Sequence, residues 1–423
     1  MIIGGGFAGL AAAKECRGKP VDVTVIDRTN HHLFQPLLYQ VATAGLAPSD
    51  ITAPIRWLLR NERNASVVLG AVRKIDTAER RVFVADVAEP AGYDALIVAA
   101  GARHSYFGHA AWETDAPGLK SLEDALGMRR RFLTAFERAE LATDMADRDA
   151  LMTFVIVGGG PTGVELAGMM IEIVRKAMPR DFRRIDTRKA RVILVEAGPR
   201  LLPAMPEHSS TRAKRDLERL GVEVRTNVAV TGIDAHGARL GNGAAIRARN
   251  VFWAAGNEAS PLGAMLGAPL DRVGRVLVND DLSVPGHPEI FVAGDLAAVK
   301  RADGSLVPGV APAAMQEGRH AARNALRNVN GETTRRFRYY NKGDLATIGR
   351  NQAIAVFGRV EVAGYPAWLL WLFVHILYLA GFRNRLSVLV QWAYAYFTFQ
   401  RGVRLITAAE RTEARGTGAR EGA

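Results

Sequence analysis

Two stretches of this chain carry glycines at a spacing that can hold a phosphate. Residues 2–10 read I-I-G-G-G-F-A-G-L, and Gly4, Gly6 and Gly9 fit G-x-G-x-x-G. In that pattern the first glycine makes a tight turn. The second lets backbone approach a pyrophosphate, and the third lets the helix pack on its strand. V-D-V-T-V-I-D follows and ends at Asp27, whose carboxylate can accept hydrogen bonds from a ribose diol. The pattern recurs at T-F-V-I-V-G-G-G-P-T-G-V-E-L-A-G (153–168), where Gly158, Gly160 and Gly163 repeat the spacing. The next strand, A-R-V-I-L-V-E, ends at Glu196 after a basic insertion around 175–190. Glu196 favours a free 2′-hydroxyl and repels a 2′-phosphate, so NADH is expected over NADPH.

Two cradles imply two dinucleotides, a mobile hydride donor and a fixed acceptor. I-F-V-A-G-D-L-A (290–297) identifies the fixed one. A strand ending in Gly294-Asp295 brings a carboxylate to the ribityl-pyrophosphate region of a flavin, with a helix start facing the phosphate. Two further strands, Y-D-A-L-I-V-A-A-G (93–101) and V-F-W-A-A-G (251–256), end in small residues at Gly101 and Gly256. Such ends let the chain cross between domains beside a cofactor.

These elements predict an α/β protein with two Rossmann-like dinucleotide-binding domains. An FAD-binding domain spans 1–115 and 275–335, split by an inserted NADH-binding domain at 120–270. A C-terminal helical membrane-association region, 340–423, follows. Loop signals mark the junctions, A-P-G-L near 116–119 and A-P-L-D-R-V-G near 268–274. The first strand has three apolar residues before its glycines; either the start lies upstream or the fold tolerates a stub. No signal peptide is visible.

Composition narrows the chemistry. The 423 residues are 48% hydrophobic and 23% charged, which excludes wholesale disorder. Lys+Arg number 55 against 43 Asp+Glu, a formal +12 that suits anionic partners, nucleic acid or lipid. Arg clusters lie at 129–131, 183–191 and 335–338, but no nucleic-acid module accompanies them, so solvated surface is the plain reading and no nucleic-acid partner is expected. Cys16 is the one cysteine, read as a buried apolar residue; a redox-active cysteine pair is therefore excluded. No His/Cys/Asp grouping has metal spacing, so no metal is expected. His31 and His32 could be ligands or acid/base groups, or could serve packing and backbone hydrogen bonds.

Four longer segments carry a resemblance: D-R-T-N-H-H-L-F-Q-P-L-L-Y-Q-V-A (27–42), G-G-G-P-T-G-V-E-L-A-G-M-M-I-E (158–172), A-P-A-A-M-Q-E-G-R-H (311–320), and N-K-G-D-L-A-T-I-G-R (341–350) through G-F-R-N-R (381–385). Across nearly the whole chain they resemble the type II NADH dehydrogenases, the non-proton-pumping NADH:quinone oxidoreductases of the two-dinucleotide-binding flavoproteins. The resemblance implies FAD in the first cradle, NADH in the second, and a membrane quinone as acceptor. It implies that Gln35, Pro36, Leu37, Leu38 and Thr43 line the flavin. Ala313 and Gln316 would line the quinone head-group region, and Lys342 and Gly343 would sit near the flavin and its tunnel. Glu172 would supply protons, and Glu165 lies on the NADH side. From the residues themselves, the Gln316 amide could donate to a quinone carbonyl as charge develops there. Glu172 lies two helical turns beyond Glu165 on one face, where a raised pKa would suit proton relay.

The tail departs from a soluble enzyme. A-W-L-L-W-L-F-V-H-I-L-Y-L-A-G-F (367–382) is almost wholly apolar, and L-S-V-L-V-Q-W-A-Y-A-Y-F-T-F (386–399) follows. Arg383, Arg385, Arg401 and Arg404 punctuate them. Both runs fall short of the ~20 apolar residues a crossing needs. Helices lying at the membrane interface are favoured, with Trp and Tyr at head-group level and Arg pairing with anionic lipid. A buried hairpin or a homodimer interface is the other reading. The enzyme is then expected as a peripheral protein on the cytoplasmic face of the inner membrane. The last stretch, 410–423, is polar and expected to be disordered. An NADH-dependent ferredoxin or rubredoxin reductase, or a redox-regulated flavoprotein binding module, would lack a reason for this tail.

Overall fold

Apolar residues on consecutive positions, rather than alternate ones, call for strands buried on both faces, and such strands form parallel sheets under helices. A computed structural model describes residues 1–398 and 403–406 and places two such sheets. The first has six strands in the order Ser283–Val284, His287–Val292, Leu96–Val98, Ile2–Ile3, Val23–Asp27, Ala65–Leu69. All neighbours run parallel except the Ser283–Val284 edge. Ile2–Ile3 occupies the middle of the sheet and pairs on both sides. The second sheet is wholly parallel: Glu223–Arg225, Arg191–Val195, Thr153–Val157, Asn250–Trp253. All five residues of Thr153–Val157 are buried.

The helices that position the site are, in chain order, α1 (Phe7–Glu15), α2 (Leu38–Ala42), α3 (Ile55–Leu58), α4 (Leu122–Leu141), α5 (Pro161–Glu172), α6 (Ala311–Val329), α7 (Tyr365–Tyr378) and α8 (Phe382–Thr398). The chain crosses between the sheets through Ala102–His104, paired antiparallel with Asn257–Ala259. Gly101 and Gly256 flank this crossing, and both take positive φ.

The C-terminal region is not helical throughout. Its first part is a three-stranded meander, Asp344–Gly349, Gln352–Phe357 and Val360–Ala363. β-branched residues and short polar turns favour strands there, and the meander caps α5. The fit is tight: a Cβ added at Gly168 would lie 1.7 Å from the Ile348 carbonyl oxygen. The hairpin of α7 and α8 then closes over the meander and α2. Among the described residues, no helix is long and apolar enough to cross a membrane. The expected disorder at 410–423, like Arg401, lies outside the described residues.

The Arg clusters at 183–191 and 335–338 are exposed, and the one at 129–131 turns inward. Arg129 is buried on α4, and Arg131 donates to the Arg249 carbonyl. Arg188 pairs with Asp186, Arg191 with Glu223 and Arg336 with Asp280.

Candidate active site

The two glycine loops are built alike. Gly4 (φ +101°) and Gly158 (φ +112°) turn where other residues strain, each against backbone of a neighbouring strand. A Cβ at Gly9 would lie 1.8 Å from the Gly4 carbonyl oxygen, and one at Gly163 1.9 Å from that of Gly158. The middle glycines differ: around Gly6 and Gly160 nothing lies within 4 Å. Those two residues are the N-caps of α1 and α5, and neither helix start has a capping side chain or an acid in its first turn. Each loop is therefore sealed on the protein side and open where unpaired amides and the helix dipole face outward, which suits a pyrophosphate.

An acid backs each loop in the same way. The Gly5 N–H donates to Asp27 Oδ2 (2.5 Å), and the Gly159 N–H donates to Glu196 Oε2 (2.6 Å). Thr29 donates twice to Asp27 Oδ1, and the Gly198 N–H donates to Glu196 Oε1 (2.6 Å). Both carboxylates are thus held at the strand ends where a ribose would lie. Replacing Glu196 with Ala should narrow the preference for NADH over NADPH by about tenfold in kcat/KM, since one charge repulsion of ~1.4 kcal/mol is a factor of ten. Steady-state rates with both nucleotides check it, and an unchanged ratio would remove that role.

The segment after Asp27 runs along the first cradle, but its side chains divide. Gln35 is exposed and Pro36 half-buried; the Gln35 amide donates to the Lys120 carbonyl (3.0 Å). Leu37, Leu38 and Thr43 do not line a cleft. They are 0%, 2% and 0% exposed, packed in the core with α4, and the Thr43 hydroxyl donates to the Tyr39 carbonyl. A 3-10 turn at Gln35–Leu37 leading into α2 turns these positions inward. His32 serves packing: it is buried, its Nδ1 bonds the Gly5 carbonyl (3.1 Å), and burial pushes it below the usual imidazole range.

Gly294 (φ +77°) and Asp295 reach the same cradle. Two groups missed in the sequence support them. Lys120 Nζ lies 3.9 Å from Asp295 Oδ2. Glu317 Oε2 accepts from the Gly294 N–H (2.6 Å), and burial, then Asp295, pushes its carboxyl up to about 8. A cleft of about 190 Å³ opens between Asp295, Glu317 and the crossing strands. A Glu between Gln316 and Gly318 was the one available signal, because Gly318 packs α6 directly on α1.

The larger cavity, about 340 Å³, lies between α5, the meander and the α7–α8 hairpin. Tyr39, Gln40, Trp371 and Trp392 wall it; Lys176, Arg350 and Tyr396 also line it. Trp392 Nε1 donates to Gln40 Oε1 (2.8 Å) and ties the hairpin to α2. Both α5 acids line this cavity. Glu172 Oε1 accepts from the Arg350 N–H (2.7 Å). Glu165 was expected beside the nucleotide, but its side chain points to this cavity instead. It keeps some accessible surface, yet protein atoms close around its carboxyl; the accessible part therefore faces the cavity. Burial pushes it up to about 8, against the opposing pull of the Thr347 N–H (3.4 Å) and Trp371. The Trp371 Nε1 makes no well-aligned hydrogen bond, so that pull is weak.

Ala313 and Gln316 do not line this cavity. Ala313 is 1% exposed in the core under α6. Both Gln316 amide hydrogens are in use, on the Pro312 and Tyr340 carbonyls, and its oxygen accepts from the Tyr340 N–H. Gln316 therefore holds the segment before Lys342 rather than offering a donor. Lys342 is exposed and donates to the Tyr378 hydroxyl (3.0 Å), at the end of α7. Gly343 (φ +95°) packs on Phe357. His375 joins α7 to the segment that follows Asp27: it stacks on Trp371 at 4.1 Å, meets Phe34 edge-on, and burial pushes it down to about 4, so it is neutral. Cys16 is buried. Among the described residues, no three acidic, His or Cys groups gather as a metal site.

The chain matches the pyridine nucleotide-disulphide oxidoreductase family over residues 1–318. It is 45% identical to the type II NADH:quinone oxidoreductase NdhA of Mycobacterium tuberculosis over 422 residues, covering 96% of this chain and 89% of that one. Its fold is similar to NDH2 of Plasmodium falciparum in complex with NADH, with a TM-score of 0.87 at 20% identity over 96% and 99% of the two chains. It is also similar to the sulfide:quinone oxidoreductase of Aquifex aeolicus, with a TM-score of 0.72 at 18% identity over 91% of each.

Proposed function

Because the chain belongs to the pyridine nucleotide-disulphide oxidoreductases and, among them, to the type II NADH:quinone oxidoreductases, we propose that it passes two electrons from NADH through FAD to a membrane quinone without pumping protons. One observation carries the reading: two open glycine cradles, each backed by an acid, in sheets linked by a pair of crossing strands. The first, with Asp27, Gln35, Lys120 and Gly294-Asp295, suits FAD. The second, with Glu196, suits NADH. The domain boundaries follow as read above, 1–115 with 275–335 for FAD and 120–270 for NADH.

Bound FAD would supply the two-electron relay. The chain's own contribution is placement and protons. The amides of α1 and α5 would hold the two pyrophosphates, and positioning of that kind supplies much of the acceleration of a hydride transfer. The cavity under α7 and α8 is the quinone site in this reading. Its walls are largely aromatic and aliphatic, and Glu165, buried among them, holds a proton on its floor. Glu172, about 10 Å further along the same helix at 1.5 Å per residue, leads outward from it.

The membrane surface is the partner of the hairpin, on the cytoplasmic side where NADH is available. Outward side chains support this: Phe373 is 64% exposed, Phe382 78% and Phe397 80%. Each large apolar side chain buried is worth about 1.5–3 kcal/mol, more than one surface ion pair contributes. The test is anaerobic. The purified protein should be yellow, should bleach with NADH, and should recover its colour when a soluble quinone is added. A protein that stays colourless after reconstitution with FAD would end the proposal.

A further inference from the structure

The apolar hairpin explains attachment but not orientation. A second feature outside it bears on that. Helix α3 belongs to the chain that follows the first cradle, and its Trp57 is 43% exposed. The Trp57 ring fits the corner between α7 and α8, where a Cβ at Gly381 would meet it at 3.2 Å. The Arg60 guanidinium lies over that ring at 4.3 Å. Asn384 donates to the Thr52 carbonyl (2.9 Å), which holds the exposed Arg383 beside the strand leading into α3.

The charge at this corner has one sign. Over residues 50–63 and 364–398 the exposed charged side chains are Arg56, Arg60, Arg63 and Arg383. The carboxylates of those stretches, Asp50 and Glu62, are buried. Asp50 accepts from Ser387 and Gln391, and Glu62 pairs with Arg17. Phe382, beside Arg383, projects outward. An apolar face edged by Trp and unpaired Arg matches the depth profile of a bilayer, with acyl chains inside and phosphates at the rim.

We propose that the corner of Arg56, Trp57, Arg60 and Arg383 binds the phosphates of anionic phospholipids and so sets how the enzyme sits on the bilayer. This rests on the membrane reading above, and makes the FAD-side domain a second point of contact.

The test uses the full-length, FAD-loaded protein and two vesicle types, phosphatidylcholine alone and phosphatidylcholine with about one-third phosphatidylglycerol. Each basic residue at such a surface is worth about fivefold in partitioning. Wild type should bind the anionic vesicles more tightly, and about 0.5 M salt should erase the difference. Arg56→Gln with Arg60→Gln should lose roughly 25-fold on anionic vesicles, with no change on neutral ones. Turnover with a water-soluble quinone should stay at the wild-type level, which shows that the variant folds. Equal wild-type binding to both vesicles, or a variant that keeps the anionic preference, would overturn the proposal. Failure of wild type to bind either vesicle would overturn the membrane reading with it, while leaving quinone turnover to be judged by itself.

Discussion

Glu165→Gln should slow quinone reduction about 100-fold at pH 7 while NADH still bleaches the flavin at the wild-type rate. The loss is the usual size for removing a positioned proton donor. A reduced quinone must take up two protons, and the two acids that line the cavity, Glu165 and Glu172, stand where one could be supplied. Glu165 faces the cavity and burial pushes its carboxyl up to about 8. The sign follows. Below about pH 8 the group carries its proton and can donate, and above it the proton is lost. Wild-type quinone reduction should therefore fall tenfold per pH unit above about 8. The Gln variant should be slow and flat, meeting the wild-type curve near pH 10. Stopped-flow measurement of the two half-reactions separates these effects. If Glu165→Gln keeps wild-type quinone reduction at pH 7, the donor is elsewhere, and Glu172 becomes the residue to replace.

Gly163→Ala should leave FAD bound but lower kcat/KM for NADH by at least 100-fold. The new methyl would lie 1.9 Å from the Gly158 carbonyl oxygen, backbone that cannot swing aside. Helix α5 would have to ride outward by about 1 Å, and a displacement of that size at a reacting pair costs around 100-fold. The equivalent change in the first cradle, Gly9→Ala, meets the Gly4 carbonyl at 1.8 Å and should instead yield a colourless protein. The pair of variants assigns one nucleotide to each cradle. Loss of FAD from Gly163→Ala, or normal NADH kinetics in it, would reverse the assignment.

The cradles were legible because their chemistry is local. Turn, close approach and acid all follow from spacing along one strand, loop and helix. Gly4, Gly6, Gly9 and Asp27 therefore needed no knowledge of the rest of the chain. What faces what was not legible. A step of seven residues from Glu165 to Glu172 puts both acids on one side of a helix, but only the meander and the α7–α8 hairpin make that side a cavity. Leu37, Leu38 and Thr43 follow a flavin-side residue in sequence, and a single 3-10 turn is enough to direct them into the core. Gln316 has the donors a quinone would want, but the Pro312 carbonyl and that of Tyr340, 24 residues away, take them. The meander at 344–363 was overlooked because short strands with Gly turns leave little periodicity beside a strongly apolar run.

The central place of Ile2–Ile3 in its sheet has a consequence for biosynthesis. Its sheet takes in His287–Val292, so that layer cannot close until nearly 300 residues have left the ribosome. The all-parallel sheet ends at Trp253 and can be complete earlier. An N-terminal half-sheet must therefore wait with an open edge while the middle of the chain folds. Edges of that kind invite wrong pairing between nascent chains. Slow translation through the segment around 255–290 would lengthen the exposure, and overexpression at high temperature would turn it into inclusion bodies.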